Sequence, residues 1–167
     1  MEAQDSPDRT AELTQLCQSC GFCCDGTLSG GARLQPDELE PARRKGLNVV
    51  KDKGFTLPCT RLENKCCTIY EERPSVCQAF MCKLLVRHRD EGGPVERRIR
   101  VVNKVRSLLE QLQQYGFKRQ PNGDITFSAE GDDAPLAMEA FSMLRMHLEE
   151  DFSRVFAPEA KPPEPPA

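Results

Sequence analysis

The chain has no tryptophan, only two tyrosines and two histidines, and no apolar run that approaches the ~20 residues of a membrane-spanning helix. Each shortage excludes something. Eight phenylalanines carry most of the aromatic content, so the expected core is modest. Histidine is the usual ligand at catalytic zinc, yet His88 and His147 both fall on expected helices away from the cysteines, which argues against a zinc hydrolase and favours helix-surface positions for both. No Gly-rich phosphate or nucleotide loop is present, and Gly30-Gly31 and Gly92-Gly93 read as loop punctuation. The polar start MEAQDSPDRTAE lacks the basic-then-apolar order of a secretion signal, so the expected location is the cytoplasm. A net charge of −3 calls for neither nucleic acid nor a membrane. Residues 83 to 106 do hold eight Lys or Arg against three acidic residues. They carry no interleaved aromatics for base stacking, so a solvated helix face is expected there and no nucleic-acid partner.

Sulfur is what the chain has in excess. All nine cysteines lie between Cys17 and Cys82, beginning with Cys17-x-x-Cys20-x-x-Cys23-Cys24 and continuing with Cys59, Cys66, Cys67, Cys77 and Cys82. Disulfides are usually reduced inside cells and an odd count leaves one thiol unpaired, so a disulfide framework is a weak reading. Buried core cysteines would not need such spacing. Thiolate is a soft ligand that selects zinc, Cu(I) or iron–sulfur clusters over magnesium and calcium, and the Cys-x-x-Cys turn lets two sulfurs converge on one centre. The adjacent pairs Cys23-Cys24 and Cys66-Cys67 say more. Successive side chains diverge by ~100° on a helix and by ~180° on a strand, so neighbouring metals or a multi-iron cluster suit such pairs better than one small ion. Cys77 and Cys82 would lie ~140° apart around a continuous helix, so either the helix loosens between them or the two serve different metals. Nine thiols suffice for two four-ligand sites with one to spare.

The expected fold is small and mainly α: a cysteine-rich, metal-bound loop layer packed on two or three helices, with one short β-hairpin. Residues 1–12 read as a disordered lead-in, 13–92 as the cysteine-cluster metal-binding region, 93–156 as a helical scaffold with the hairpin in the same domain, and 157–167 as a disordered Pro-rich tail. Residues 36 to 46 suggest a short helix limited by Pro41 and stopped by Gly46. Ser75 suggests the cap of a helix carrying Cys77, Phe80, Met81, Leu84 and Leu85 as far as Gly92, which sets Cys77 near a helix start where the positive end favours thiolate. Val95, Ile99, Val102, Val105, Leu109 and Leu112 predict a helix opened by Pro94 and closed by Gly116, its apolar stripe opposite Arg98, Arg100 and Lys104. A hairpin is expected around Asn122-Gly123. A last helix after Asp133 is expected to bury Leu136, Ala140, Met143, Leu144, Leu148, Phe152 and Phe156.

The order CQSCGFCC, followed by PC-x-x-L-x-x-x-x-C-x-IY-x-x-RP-x-x-C-x-x-F-x-C from Pro58 to Cys82, resembles the YkgJ-like cysteine-cluster family, which is described as zinc- or iron-chelating. The resemblance covers roughly residues 17 to 85. It implies that Cys17, Cys20, Cys23, Cys24, Cys59, Cys67, Cys77 and Cys82 are the metal ligands, with Cys66 the extra thiol and possible alternate of Cys67. Thr60, where the family often has proline, and Cys66 are the departures. Tyr70, Arg73 and Pro74 belong to the same motif, so Arg73 is either a cation beside an anionic thiolate centre or a surface arginine in a turn. Asp25 reads as a turn residue before Gly26 rather than an oxygen ligand. The family is also similar here to the cysteine-rich part of bacterial flagellin lysine methylases. Three functions follow in order of expectation: an iron–sulfur or polynuclear iron protein with a redox or electron-transfer role, a structural zinc module for protein interaction, and a metal-dependent modifying enzyme. No catalytic residue is assigned. The expected cofactor is an iron–sulfur cluster or iron, with zinc as the alternative. The expected partners are metal ions and a protein bound through the helical half.

Overall fold

The computed structural model describes residues 7–119 and 125–155. It is mainly α, as expected, with a few short strands. Among the described residues six α-helices run in chain order: α1 (Pro7–Cys20), α2 (Leu39–Arg44), α3 (Ser75–Gln78), α4 (Lys83–Glu91), α5 (Val95–Gln113) and α6 (Ala134–Glu150). The strands are two or three residues long. β1 (Gly31–Arg33), β2 (Val49–Val50) and β3 (Gly54–Thr56) form an antiparallel sheet with β3 in the middle. β4 (Leu62–Glu63) pairs with β5 (Cys66–Cys67), β6 (Met81–Cys82) with β9 (Arg154–Val155), and β7 (Lys118–Arg119) with β8 (Ile125–Thr126).

Two hydrophobic clusters organise the chain. In the larger, α5 and α6 pack together and against α1 and α4 through Leu16, Leu84, Val95, Val102, Val105, Leu108, Leu112, Ala140 and Leu144. Each fully buried leucine or valine there is worth about 1.5–3 kcal/mol of transfer free energy. Phe22 and Phe152 close one end with their rings edge to face, 5.4 Å between centroids. The smaller cluster, Leu34, Ala42, Leu47 and Phe55, lies under β1–β3 and α2. Gly54 is required in that sheet, since a Cβ on it would collide with the Ala32 carbonyl oxygen.

Several sequence expectations need correction. Residues 7–12, assigned to a disordered lead-in, are the first turns of α1, anchored by Glu12 to His88 and by Arg9 to the Arg89 carbonyl. The helix expected from Ser75 to Gly92 is two helices, because Met81 and Cys82 take extended backbone to pair with Val155 and Arg154. Lys83 N–H and Leu84 N–H continue that ladder onto the carbonyls of Ser153 and Asp151, at 3.1 and 2.7 Å. Ser75 does not cap α3: Pro74 holds the cap position, and the Ser75 N–H and hydroxyl instead donate to Glu38 at 2.6 and 3.1 Å. Arg98 is not on the solvent side of α5 but buried against α4, where it pairs with Glu91 and donates to the Arg87 carbonyl. Leu136 is exposed and Ala137 takes its place in the core. His88, expected on a surface, is fully buried. Phe156, the Asn122-Gly123 turn and the tail 157–167 lie outside the described residues.

Candidate metal centre

Every element that delivers a cysteine does so at its end or at a turn. Cys17 and Cys20 occupy the last turn of α1, which stops at Gly21. Gly21 has φ +71°, and a Cβ there would meet the Lys65 carbonyl oxygen at 3.0 Å, so glycine both ends the helix and lets the second cysteine stretch come close. The turn that follows, with Cys24 N–H and Asp25 N–H both donating to the Gly21 carbonyl, carries Cys23 and Cys24. Asp25 serves as a turn residue, its Oδ1 accepting from Thr27 N–H at 2.7 Å. Cys59 is tied to the first stretch directly, its N–H donating to the Cys24 carbonyl at 2.7 Å. Cys67 lies on β5, Cys77 on α3 and Cys82 on β6.

The thiols sort by mutual electrostatic influence. Cys23 is affected most by Cys20, then by Cys82 and Cys17, and last by its neighbour Cys24. Cys24 is affected instead by Cys67, Cys59 and Cys77, and only then by Cys17. Cys77 in turn feels Cys59 and Cys67. By this influence Cys20, Cys23 and Cys82 group together, Cys24, Cys59, Cys67 and Cys77 group together, and Cys17 influences both groups. The vicinal pair 23–24 is divided between them, and Cys17 stands at the boundary. Cys77 and Cys82, separated by the break between α3 and α4, fall in different sets.

Cys66 points elsewhere. On the β4–β5 hairpin, whose turn residues Asn64 and Lys65 have φ of 49° and 69°, Cys67 opposes Leu62 and Cys66 opposes Glu63. Alternation along β5 turns Cys67 toward the other thiols and leaves Cys66 exposed, its sulfur 3.7 Å from the Gln18 carbonyl oxygen.

Burial is the largest influence on these thiols. It pushes Cys24 and Cys77 up to about 12 and also raises Cys17, Cys20, Cys23, Cys59 and Cys82. The helix start at Cys77, expected to favour thiolate, is overridden by desolvation in a helix of only four residues. Opposing groups are few: Arg73 acts on Cys17 and Cys77, and the amides of Leu85 and Leu84 on Cys82. Among the described residues, no three Cys, His, Asp or Glu side chains stand at the spacing of a closed coordination sphere. The donors suit a soft metal by chemistry: thiols alone, no histidine among them, and a buried setting in which neutral thiols lose their protons only to a strong cation. A cavity of about 340 Å³ adjoins them, lined by Cys17, Cys23, Cys24, Cys59, Cys67 and Cys77 together with apolar side chains such as Leu28, Leu57, Phe80, Leu148 and Phe152.

The profile of the CxxCxxCC family, described as "Putative zinc- or iron-chelating domain", matches residues 16–100, half of the chain and all eight of these cysteines. The chain belongs to the CxxCxxCC family. A curated relative, "Uncharacterized protein YkgJ" of Escherichia coli O157:H7, is 33% identical over 79 residues, covering 38% of this chain and 72% of the relative. No solved structure matches the chain. Metal chelation is thus the property this chain shares with its family, and zinc or iron are the metals the family's description names. The match ends within α5, so α6 and β7–β9 lie beyond it. No helix of the described residues is long and apolar enough to cross a membrane.

Sequence reasoning singled out Arg73 near the thiols but missed Arg106 and the buried His88. Arg73 is half-buried, its guanidinium 3.6 Å from the centre of the Tyr70 ring and its Nε donating to the Tyr70 carbonyl at 2.7 Å. Arg106, on α5, donates to the carbonyls of Ser19 and Cys20 at 3.1 and 3.0 Å and fixes the end of α1. His88 shares Nε2 with Glu12 at 3.1 Å, which ties α1, carrier of Cys17 and Cys20, to α4, which begins after Cys82. The family resemblance flagged Tyr70 and Arg73 as parts of one motif, but nothing local flags Arg106, which is 86 residues from its partner.

Proposed function

We propose that the chain binds iron through Cys17, Cys20, Cys23, Cys24, Cys59, Cys67, Cys77 and Cys82, as an iron–sulfur or polynuclear iron centre that carries electrons or reports redox state. The observation that carries this reading is the convergence of the two cysteine stretches: Cys59 N–H donates to the Cys24 carbonyl at 2.7 Å, and Cys17, Cys23, Cys24, Cys59, Cys67 and Cys77 line one cavity. Six sulfurs around one cavity are more than a single tetrahedral ion takes and suit adjacent metals or one multinuclear centre, and iron at such a site would supply one-electron chemistry in an apolar, partly shielded environment. The chain's own part is to bring sulfurs from α1, the 23–24 turn, β5, α3 and β6 together and to keep water low around them. The decisive experiment is oxygen-free purification followed by elemental analysis with visible and electron-paramagnetic spectra. Coloured protein with stoichiometric iron and absorption that bleaches on reduction supports the proposal, and colourless protein without iron overturns it.

A structural zinc module is the second reading, favoured by one observation: β1–β6 are only two or three residues long, so the layer that bears four of the eight thiols has little hydrogen-bonded framework of its own. That reading requires stoichiometric zinc and no reducible absorption.

A further inference from the structure

The strand that carries Cys82 finds its pairing partner at the far end of the described residues. In their two-stranded sheet Met81 is opposite Val155 and Cys82 opposite Arg154, and the ladder continues as Lys83 N–H and Leu84 N–H donate to the carbonyls of Ser153 and Asp151 at 3.1 and 2.7 Å. Those two amides belong to the first turn of α4, where no intrahelical carbonyl is available, so residues 151–155 supply what that helix end lacks. α4 in turn caps the end of α6. Arg87 Nη2 donates to the Glu150 carbonyl at 2.9 Å and Lys83 Nζ to the Glu149 carbonyl at 3.3 Å, two cations set on the negative end of a helix. Asp151 locks the two ends together. Its buried carboxylate accepts from Arg87 Nη1 at 2.6 Å on one oxygen and lies 2.9 Å from His147 Nδ1 on the other. Next in the chain, Phe152 is buried edge to face against Phe22, which stands between Cys20 and Cys23 in sequence. Phe152 and Ser153 also line the cavity beside the thiols. One short segment therefore grips both the Cys82 strand and the first cysteine stretch, and it lies beyond residues 16–100 that the family profile matches.

We propose that residues 151–155 are a strap that holds Cys82 in its place at the metal centre, and that Arg87 and Asp151 are the positioning residues that fasten it. The inference rests on the reading of Cys82 as a metal ligand. A strand of two residues has no stability of its own, so the backbone at Met81 and Cys82 stays extended only while the strap is paired with it. Taking Arg87 from Asp151 leaves a buried carboxylate short of its cation and the Glu150 carbonyl short of a donor, and both losses favour release of the strap. Arg87 and Asp151 act in this account through the backbone that carries Cys82 and through the cover that the strap places on the centre.

The test uses metal-loaded full-length protein and compares the parent with Arg87→Gln, Arg87→Lys and Asp151→Asn, with Val102→Ala as a control for stability lost in the helical core away from the strap. Metal content is measured first. Release of the metal to excess EDTA is then followed in native buffer, and hydrogen exchange is read by peptide mass spectrometry over residues 81–85 and over α5. Arg87→Gln is expected to load metal as the parent does, to release it about tenfold faster, the scale of one lost hydrogen bond to a charged group, and to lose protection at 81–85 while α5 keeps its own. Asp151→Asn, which preserves the shape of the side chain, is expected to move both readouts the same way, and Arg87→Lys, which preserves the charge, to fall between Arg87→Gln and the parent. Should Arg87→Gln load poorly, Arg87→Lys and Asp151→Asn carry the comparison. A parent that binds no metal overturns the metal reading and the inference with it. A loaded parent whose variants at Arg87 and Asp151 match it in release and exchange overturns the strap alone, as does a Val102→Ala variant that speeds release and exposes 81–85 to the same degree.

Discussion

At the scale of single residues, the two members of each vicinal pair have different fates, and geometry decides which. Cys66 and Cys67 stand on opposite faces of a two-residue strand, one exposed and one turned toward Cys24, Cys59 and Cys77. Cys66→Ser is therefore expected to retain the full metal content of the parent, and Cys67→Ser to lose metal from its quartet, as elemental analysis of both variants will show. Titration gives a second prediction at this scale. Burial holds Cys24 and Cys77 protonated up to about 12, against 9.0 for the unperturbed thiol. The raised value means that the folded, metal-free chain binds these protons more tightly than the unfolded chain, so the stability they contribute is complete below pH 9 and disappears as pH climbs toward 12. Thermal midpoints of metal-free protein are expected to fall across that interval, and a flat profile would contradict the burial described for the thiols.

Elements matter next, since it is their ends rather than their middles that deliver the ligands. Glu38 shows how one end is held. Its carboxylate pays a desolvation cost, yet it accepts from Ser75 N–H, Gln35 N–H and the Ser75 hydroxyl, and these together hold it below the usual carboxylate range. It fastens the start of α3, two residues before Cys77, to the turn before α2. Glu38→Ala is expected to cost about 1 kcal/mol at this solvent-open position, read as a lower denaturation midpoint. The lowered value also means that the contribution is present above pH 4.5 and fades below it, so parent and variant should converge in acid. How much of this was legible depends on whether the signal was local. The stripe Val95 to Leu112 is a 3.6-residue period that any chain reader can find, and α5 follows it. The cysteine order likewise led to the family. The break at Met81-Cys82 was not legible, because its cause is pairing with residues 154–155, more than seventy positions away. Arg98 and His88 were misplaced for a related reason: their burial is decided by Glu91, Glu12 and α1, which local periodicity does not register.

For the whole molecule, the thiols occupy the seam between the two hydrophobic clusters. Cys17, Cys20 and Cys82 belong to the larger and Cys59 and Cys77 border the smaller. The larger cluster has long helices to sustain it, whereas the smaller has four buried residues under strands of two or three. Removing metal with a chelator is accordingly expected to strip hydrogen-exchange protection from residues 31–78 first while α5 and α6 keep theirs. Simultaneous loss across both would show that the helices depend on the metal as well.

A seam made of ligands has a mechanical side. An ion held by these sulfurs would rivet the β1–β3 lobe to the helical body, adding to bonds such as Cys59 N–H to the Cys24 carbonyl that already join them. Any molecule that grips both lobes at once would then sense whether the rivet is set, and loading would be broadcast as stiffness rather than as a change of shape.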